Sequence, residues 1–182
     1  WEKIHSRVLG LTQIIQQSNI ERTLAWSPQG DKIIYFDYGS RSLYNISTDG
    51  SGQPELLQQG PYVLDATWSP DATQIAYSNR VGSIYILNLT TKQAVTLLDD
   101  AIEGAQPCWS PDNTQIVFLL FESYHDGIGR SIAVVNKDGS GLIELTPKDN
   151  ITSPRWSPDG LQILWVQLLS FTMPVHITEG VH

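Results

Sequence analysis

The chain has 182 residues, 41% apolar and 16% charged, which is enough to bury an ordinary core and excludes a disordered segment. Eleven Lys and Arg stand against nineteen Asp and Glu, and the net charge of -8 repels phosphate backbones and anionic lipid, so nucleic acid is excluded as the expected partner. No apolar stretch reaches the roughly 18 residues of a spanning helix, so no membrane insertion is expected. The lone Cys108, directly before a Trp, reads as a small buried hydrophobe.

The opening Trp1-Glu2-Lys3-Ile4-His5 has neither an initiator Met nor a signal-peptide pattern, and the chain is expected to be a segment of a longer product. Next comes a short apolar run, Val8-Leu9-Gly10-Leu11-Thr12. From there one phrase recurs four times: Trp26-Ser27-Pro28-Gln29-Gly30-Asp31, Trp68-Ser69-Pro70-Asp71-Ala72-Thr73, Trp109-Ser110-Pro111-Asp112-Asn113-Thr114 and Trp156-Ser157-Pro158-Asp159-Gly160-Leu161. The four Trp lie 42, 41 and 47 residues apart, the spacing of four-stranded propeller blades.

The seventh residue after each Trp is Ile (Ile33, Ile75, Ile116, Ile163) and the ninth is aromatic (Tyr35, Tyr77, Phe118, Trp165). A separation of two puts both side chains on one face of a strand, whereas a helix would place them on nearly opposite sides. Each phrase therefore predicts a hairpin, with a strand ending at Trp and another beginning near Ile. Ser, Pro and Gly at the first, second and fourth turn positions suit a type I turn, and Ala72 and Asn113 suggest that the fourth position tolerates substitution. The Trp is expected to fill the wedge between neighbouring sheets.

Third strands follow at Leu43-Tyr44-Asn45-Ile46, Ile84-Tyr85-Ile86-Leu87 and Ile132-Ala133-Val134-Val135, and fourth strands at Glu55-Leu56-Leu57, Ala94-Val95-Thr96-Leu97-Leu98 and Leu142-Ile143-Glu144-Leu145-Thr146. Asp49-Gly50 and Asp138-Gly139 mark the intervening turns. The predicted units are 21–60, 63–104, 105–149 and an unfinished 152–182, within a single domain spanning 1–182. Residues 8–16 are a candidate closing strand for the last unit, because Gly10-Leu11-Thr12 resembles the Gly-Leu and Leu-Thr elements of 141–146.

Trp-Ser-Pro-Asp-Gly, then Ile-x-aromatic, then Asn-x-Asp-Gly-Ser-Gly and Leu-Thr resembles the TolB-like β-propeller repeat, from about Val8 to Val166. The resemblance implies an all-β propeller of four-stranded antiparallel blades, about four in this chain. Such propellers usually have six or more blades, so a segment of a larger ring is favoured over a self-closed four-bladed one. An open ring would leave a sheet edge free for self-association. The resemblance also implies a periplasmic or extracellular bacterial setting.

The longer third interval holds about six extra residues between the second and third strands, within Leu120-Phe121-Glu122-Ser123-Tyr124-His125-Asp126-Gly127-Ile128-Gly129-Arg130. We expect a surface loop there, on the same rim as Asp37-Tyr38-Gly39-Ser40-Arg41 and Ser78-Asn79-Arg80-Val81-Gly82. Tyr38, Arg41, Arg80, Tyr124, His125, Asp126 and Arg130 thus form a candidate partner-binding rim, since Tyr and Arg are favoured in protein interfaces.

No catalytic residues are assigned, because a Gly-x-Ser-x-Gly elbow is lacking and Gly127-Ile128-Gly129-Arg130-Ser131 has the wrong spacing. His5, His125, His176 and His182 show no short ligand spacing, so neither a metal nor another cofactor is expected. The sequence predicts a non-enzymatic scaffold that binds a protein or peptide. The alternative is a non-catalytic propeller domain of a larger prolyl-oligopeptidase-like hydrolase.

Overall fold

The computed structural model describes residues 20–60, 62–98, 102–124, 127–168 and 175–179, with backbone alone at 20–24, 122–124, 127–128 and 175–179. The candidate closing strand at 8–16 lies outside them. Four antiparallel meander sheets follow one another along the chain. The first contains β1 (Ile20–Trp26), β2 (Lys32–Asp37), β3 (Ser42–Ser47) and β4 (Glu55–Gln59). The second contains β5 (Val63–Trp68), β6 (Gln74–Asn79), β7 (Ile84–Asn88) and β8 (Ala94–Leu98). The third contains β9 (Glu103–Trp109), β10 (Gln115–Tyr124), β11 (Gly127–Asn136) and β12 (Ile143–Glu144). In the fourth, β13 (Ile151–Trp156), β14 (Gln162–Gln167) and β15 (Val175–Glu179) are described. Glu103 and Gly104, assigned to the second unit from sequence, instead open β9 of the third, where they pair with Phe121 and Leu120.

The predicted alternation organises the packing. Odd-phase residues of one blade meet even-phase residues of the blade before it. Ile34 and Phe36 of the first blade pack with Trp68, Ile75 and Tyr77 of the second. Ala76 of the second packs with Trp109, Ile116 and Phe118 of the third. Val117 and Leu119 of the third pack with Ile163 and Trp165 of the fourth. Among the described residues the core is thus three inter-blade layers, and the innermost strands β1, β5, β9 and β13 pack in that order.

Trp68 and Trp109 fill wedges as expected, at 7% and 4% exposure, and Trp68 Nε1 donates to Ala25 O of the preceding blade at 3.2 Å. Trp156 is half-buried. Trp26 departs from the expectation and is 62% exposed, outside all three layers.

Each Trp-Ser-Pro hairpin is held by its serine. Ser27, Ser69, Ser110 and Ser157 Oγ accept from the backbone N–H of Lys32, Gln74, Gln115 and Gln162, at 3.0 Å in the first copy and 2.9 Å in the others. The same hydroxyls donate to a carboxylate: Asp71, Asp112 and Asp159 at 2.6 Å, and in the first copy, where Gln29 replaces Asp, to Asp31 at 2.7 Å. The fourth turn position is not tolerant in the sense expected, because it takes a left-handed backbone in every copy: φ is 74° at Gly30, 58° at Ala72, 64° at Asn113 and 74° at Gly160. Asn113 suits this conformation and also donates through Nδ2 to Asp71 Oδ2 of the preceding blade at 2.7 Å. Ala72 has neither advantage. Ala72→Gly relieves this strain but removes a methyl packed against the layer between the first two blades, so its net gain is expected to be no more than about 0.5 kcal/mol. A urea titration reading the midpoint at constant slope checks this.

Hydrogen bonds from Ser110 and Thr114 hold the Asp112 carboxyl below its ordinary range, and those from Ser157 and the Leu161 N–H do the same for Asp159. In the Asp-Gly turn, bonds from Ser47 and Ser51 lower Asp49 to about 2. A carboxyl whose pKa is depressed by folding stabilises the fold above its unfolded value and loses that contribution as pH falls through the folded value. The melting temperature should therefore stay level through the neutral range and drop between pH about 4 and about 2, with Asp112→Asn flattening part of the drop. Circular dichroism melts across that range provide the check.

Candidate functional site

In a meander blade the β2–β3 type of connection and the link to the next blade share one end of the sheet, opposite the Trp-Ser-Pro and Asp-Gly turns. At this end Asp37 folds the first connection. Its Oδ1 accepts from Gly39 N at 3.0 Å and its Oδ2 from Ser40 Oγ at 2.8 Å. Arg41 follows in a left-handed conformation, φ 54°, and its carbonyl accepts from Gly60 N at 3.2 Å. In the second blade Asn79 Oδ1 accepts from Val81 N at 3.1 Å and from Ser83 N at 3.0 Å, while Arg80 N donates to Tyr62 O at 3.1 Å. Side-chain-capped turns and backbone bonds thus fix both arginines to the interblade link.

Tyr62 is the hub of this region, and sequence reasoning missed it. Arg41 Cζ lies 5.1 Å and Arg80 Cζ 5.7 Å from its ring centroid, and the Tyr38 ring is 5.2 Å away at an interplanar angle of 47°. Phe36 supports the cluster from below at 6.3 Å. Each exposed cation–π contact supplies about 0.5–1 kcal/mol, enough to bias side chains that would otherwise be mobile. Among the described residues neither guanidinium pairs with a carboxylate.

Three of the seven expected rim residues, Tyr38, Arg41 and Arg80, therefore come together. Arg130 instead lies over Phe121, its cross-strand partner, with Cζ 5.6 Å from the ring centroid. Tyr124 ends β10 opposite Gly127, but its side chain is outside the described set, as are His125 and Asp126 entirely.

The expected surface loop is not a loop. β10 and β11 are ten residues each, paired without a break from Gln115↔Asn136 to Tyr124↔Gly127, so the extra residues lengthen a hairpin. The ladder continues past the last apolar pair, Leu119↔Ile132, through Leu120↔Ser131 and Phe121↔Arg130, where the Arg130 guanidinium lies over the Phe121 ring and supports the ribbon.

Two hollows adjoin Arg80. One, about 180 Å³, is lined by Tyr38, Tyr62, Val63 and Leu64; the other, about 500 Å³, lies between the second and third blades, lined by Leu64, Val81, Glu103, Ala105 and Phe121. Leu64, Val81 and Tyr38 are exposed there, so an apolar floor runs from the Tyr62 cluster toward Phe121 and Arg130. A further cleft of about 340 Å³ at the opposite end is polar, lined by Lys32 and by charges that are largely engaged: Lys92 bridges to Glu55, and Asp31 accepts from Ser27. Among the described residues no group of three His, Cys, Asp or Glu is placed to hold a metal ion.

A family model described as the TolB beta propeller domain matches residues 4–160. The chain is similar to "Protein TolB homolog" of Chlorobium luteolum, 29% identical over 133 residues, covering 70% of this chain and 29% of that protein. It is also similar to "Uncharacterized peptidase YuxL" of Bacillus subtilis, 27% identical over 112 residues, covering 56% of this chain and 17% of that protein. The chain thus spans less than a third of either relative. A solved structure of putative TolB from Agrobacterium tumefaciens superposes with a TM-score of 0.73 at 22% identity, covering 88% of this chain and 61% of that one, which supports the propeller fold.

Proposed function

Because the chain belongs to the TolB beta-propeller family, we propose that it is a non-enzymatic scaffold that binds a protein or peptide along the rim formed by its β2–β3, β6–β7 and β10–β11 connections. The observation that carries this reading is the convergence of Arg41, Arg80 and Tyr38 on Tyr62 beside an open apolar groove. Arg and Tyr at the edge of exposed apolar surface is the composition of interface anchors, whereas the cleft at the opposite end is polar and holds the Lys92–Glu55 ion pair. The setting we propose is the bacterial periplasm or cell surface, in line with the sequence resemblance.

A second reading, a non-catalytic domain of a larger hydrolase, is supported by the name of the peptidase relative. A Gly-x-Ser-x-Gly elbow encoded next to this segment in its gene would favour it.

Hydrogen exchange tests the rim. Peptides selected on the immobilised chain from a hexapeptide library should protect amides at 38–41, 62–64 and 80–82. Protection confined to the hairpin turns at 27–31 or 49–52, on the opposite end, would sink the proposal.

A further inference from the structure

We infer that the Arg41–Tyr62–Arg80 cluster is a carboxylate site, and that the rim selects acidic peptides bearing an apolar side chain next to the carboxylate; this rests on the peptide-binding reading above. Two guanidinium groups repel each other, yet both are drawn over one ring, within 5.1 and 5.7 Å of its centroid, in a chain whose net charge is -8. Acidic side chains are plentiful in this protein, but among the described residues none forms an ion pair with either arginine. The nearest one in sequence, Asp37, is occupied by Gly39 N and Ser40 Oγ. Glu103 lines the neighbouring groove, packed alongside Gly82 of the Arg80 turn, and forms no ion pair with Arg80 among the described residues.

A guanidinium held over an aromatic ring keeps its N–H groups available, and a carboxylate is the planar acceptor that fits them in a bidentate manner. A carboxylate docked on either guanidinium gains charge-assisted hydrogen bonds, and the second positive charge on the same ring adds to the attraction. The adjoining floor decides what carries the carboxylate. Leu64 is 45% and Val81 70% exposed beside Phe121 and Ala105, in a groove of about 500 Å³, so the ligand extends an apolar side chain alongside its anionic group. A peptide supplies both, whereas inorganic anions and nucleic acid backbones have nothing to place on that floor. Glu103 disfavours a second acidic residue inside the groove.

The carboxylate can come from an Asp or Glu side chain or from a peptide C-terminus, and two arms of one experiment separate these. A bead-displayed random hexapeptide library is presented to the full chain in two forms, one with amidated C-termini and one with free C-termini. Side-chain recognition predicts enrichment of Asp or Glu at one position by about tenfold in the amidated library, next to Leu, Ile, Val or Phe. C-terminal recognition predicts a comparable excess of bound free-acid beads over amidated ones. In either case Arg41→Gln combined with Arg80→Gln should abolish the preference while lowering the melting temperature by no more than about 8 °C, through the loss of two exposed cation–π contacts.

Bound beads with no acidic preference in either library, or a preference that survives the double substitution, overturn the carboxylate site. If the same beads still protect 62–64 and 80–82 in hydrogen exchange, the peptide-binding rim stands without it. Failure of both libraries to bind overturns both.

Discussion

Trp68→Ala should lower the unfolding free energy by about 3–5 kcal/mol, as expected for removal of a large buried aromatic side chain. At roughly 2–4 °C per kcal/mol for a domain of this size, the melting temperature should fall by about 6–20 °C. Trp26→Ala, the same substitution in the same phrase, should change stability by no more than about 0.5 kcal/mol. The contrast follows from what each ring touches. Trp68 is buried against Ile34, Phe36 and Leu43 of the preceding blade and donates to Ala25 O, whereas Trp26 is mostly exposed. Trp68→Phe separates the two contributions, because it keeps most of the apolar area and removes the hydrogen bond, worth about 1 kcal/mol net. At Trp109 no acceptor faces the buried Nε1 among the described residues, so Trp109→Phe should cost less than Trp68→Phe. Thermal melts of the four variants check the series. Equal losses for Trp26→Ala and Trp68→Ala would show that the phrase stabilises its own hairpin and not the layer between blades.

That contrast also marks where sequence reading succeeds. The alternation of Ile33, Tyr35 and their counterparts reports strand and facing because it depends on local backbone period alone, and the Ser-Pro turns are equally local. The identity of the four copies, however, hides the difference in their surroundings, which depends on the neighbouring blade. The candidate site was legible to a similar degree. Tyr38, Arg41 and Arg80 stand out as unusual residues at equivalent turn positions. Tyr62 does not, because it sits in an interblade link with no repeat counterpart to compare against, and its importance comes from two arginines brought over it by different blades. The β10–β11 extension is a hairpin where the sequence predicts a loop: Gly127 and Gly129 interrupt the apolar pattern, but Leu119, Leu120 and Phe121 carry the strand signal past the usual end. Bulge positions such as Gln106 and Ser153, at φ 54° and 60°, leave no trace in residue type; there the Gln106 Oε1 accepts from Ser153 N at 2.7 Å and joins two inner strands.

Gly104→Ala should destabilise the chain by about 1–3 kcal/mol, and Gly104→Val by more, through overpacking and not through backbone strain. Gly104 is buried in β9 and pairs with Leu120, and its N–H donates to Gly82 O at 2.7 Å. A Cβ there would lie 2.8 Å from Ile84 Cδ1 and 2.8 Å from Phe118 Cδ2. Both neighbours are fully buried in the layer between the second and third blades, so moving either one disturbs that packing. The substitution is expected to shift β9 away from β7. This strains the Gly104–Gly82 bond, which ties the Arg80 turn to the third blade and so maintains one wall of the groove between the second and third blades. Ile84→Val removes the atom that would collide. The double variant Gly104→Ala with Ile84→Val should therefore recover part of the loss, giving a favourable coupling of about 0.5–3 kcal/mol in a double-mutant cycle. Denaturant titrations measure that coupling, and hydrogen exchange at Gly104 and 80–82 reports whether the groove wall has loosened. Strict additivity, with exchange unchanged at those amides, would show that β9 absorbs the methyl locally and that the close approach at Gly104 is not what holds the rim in place.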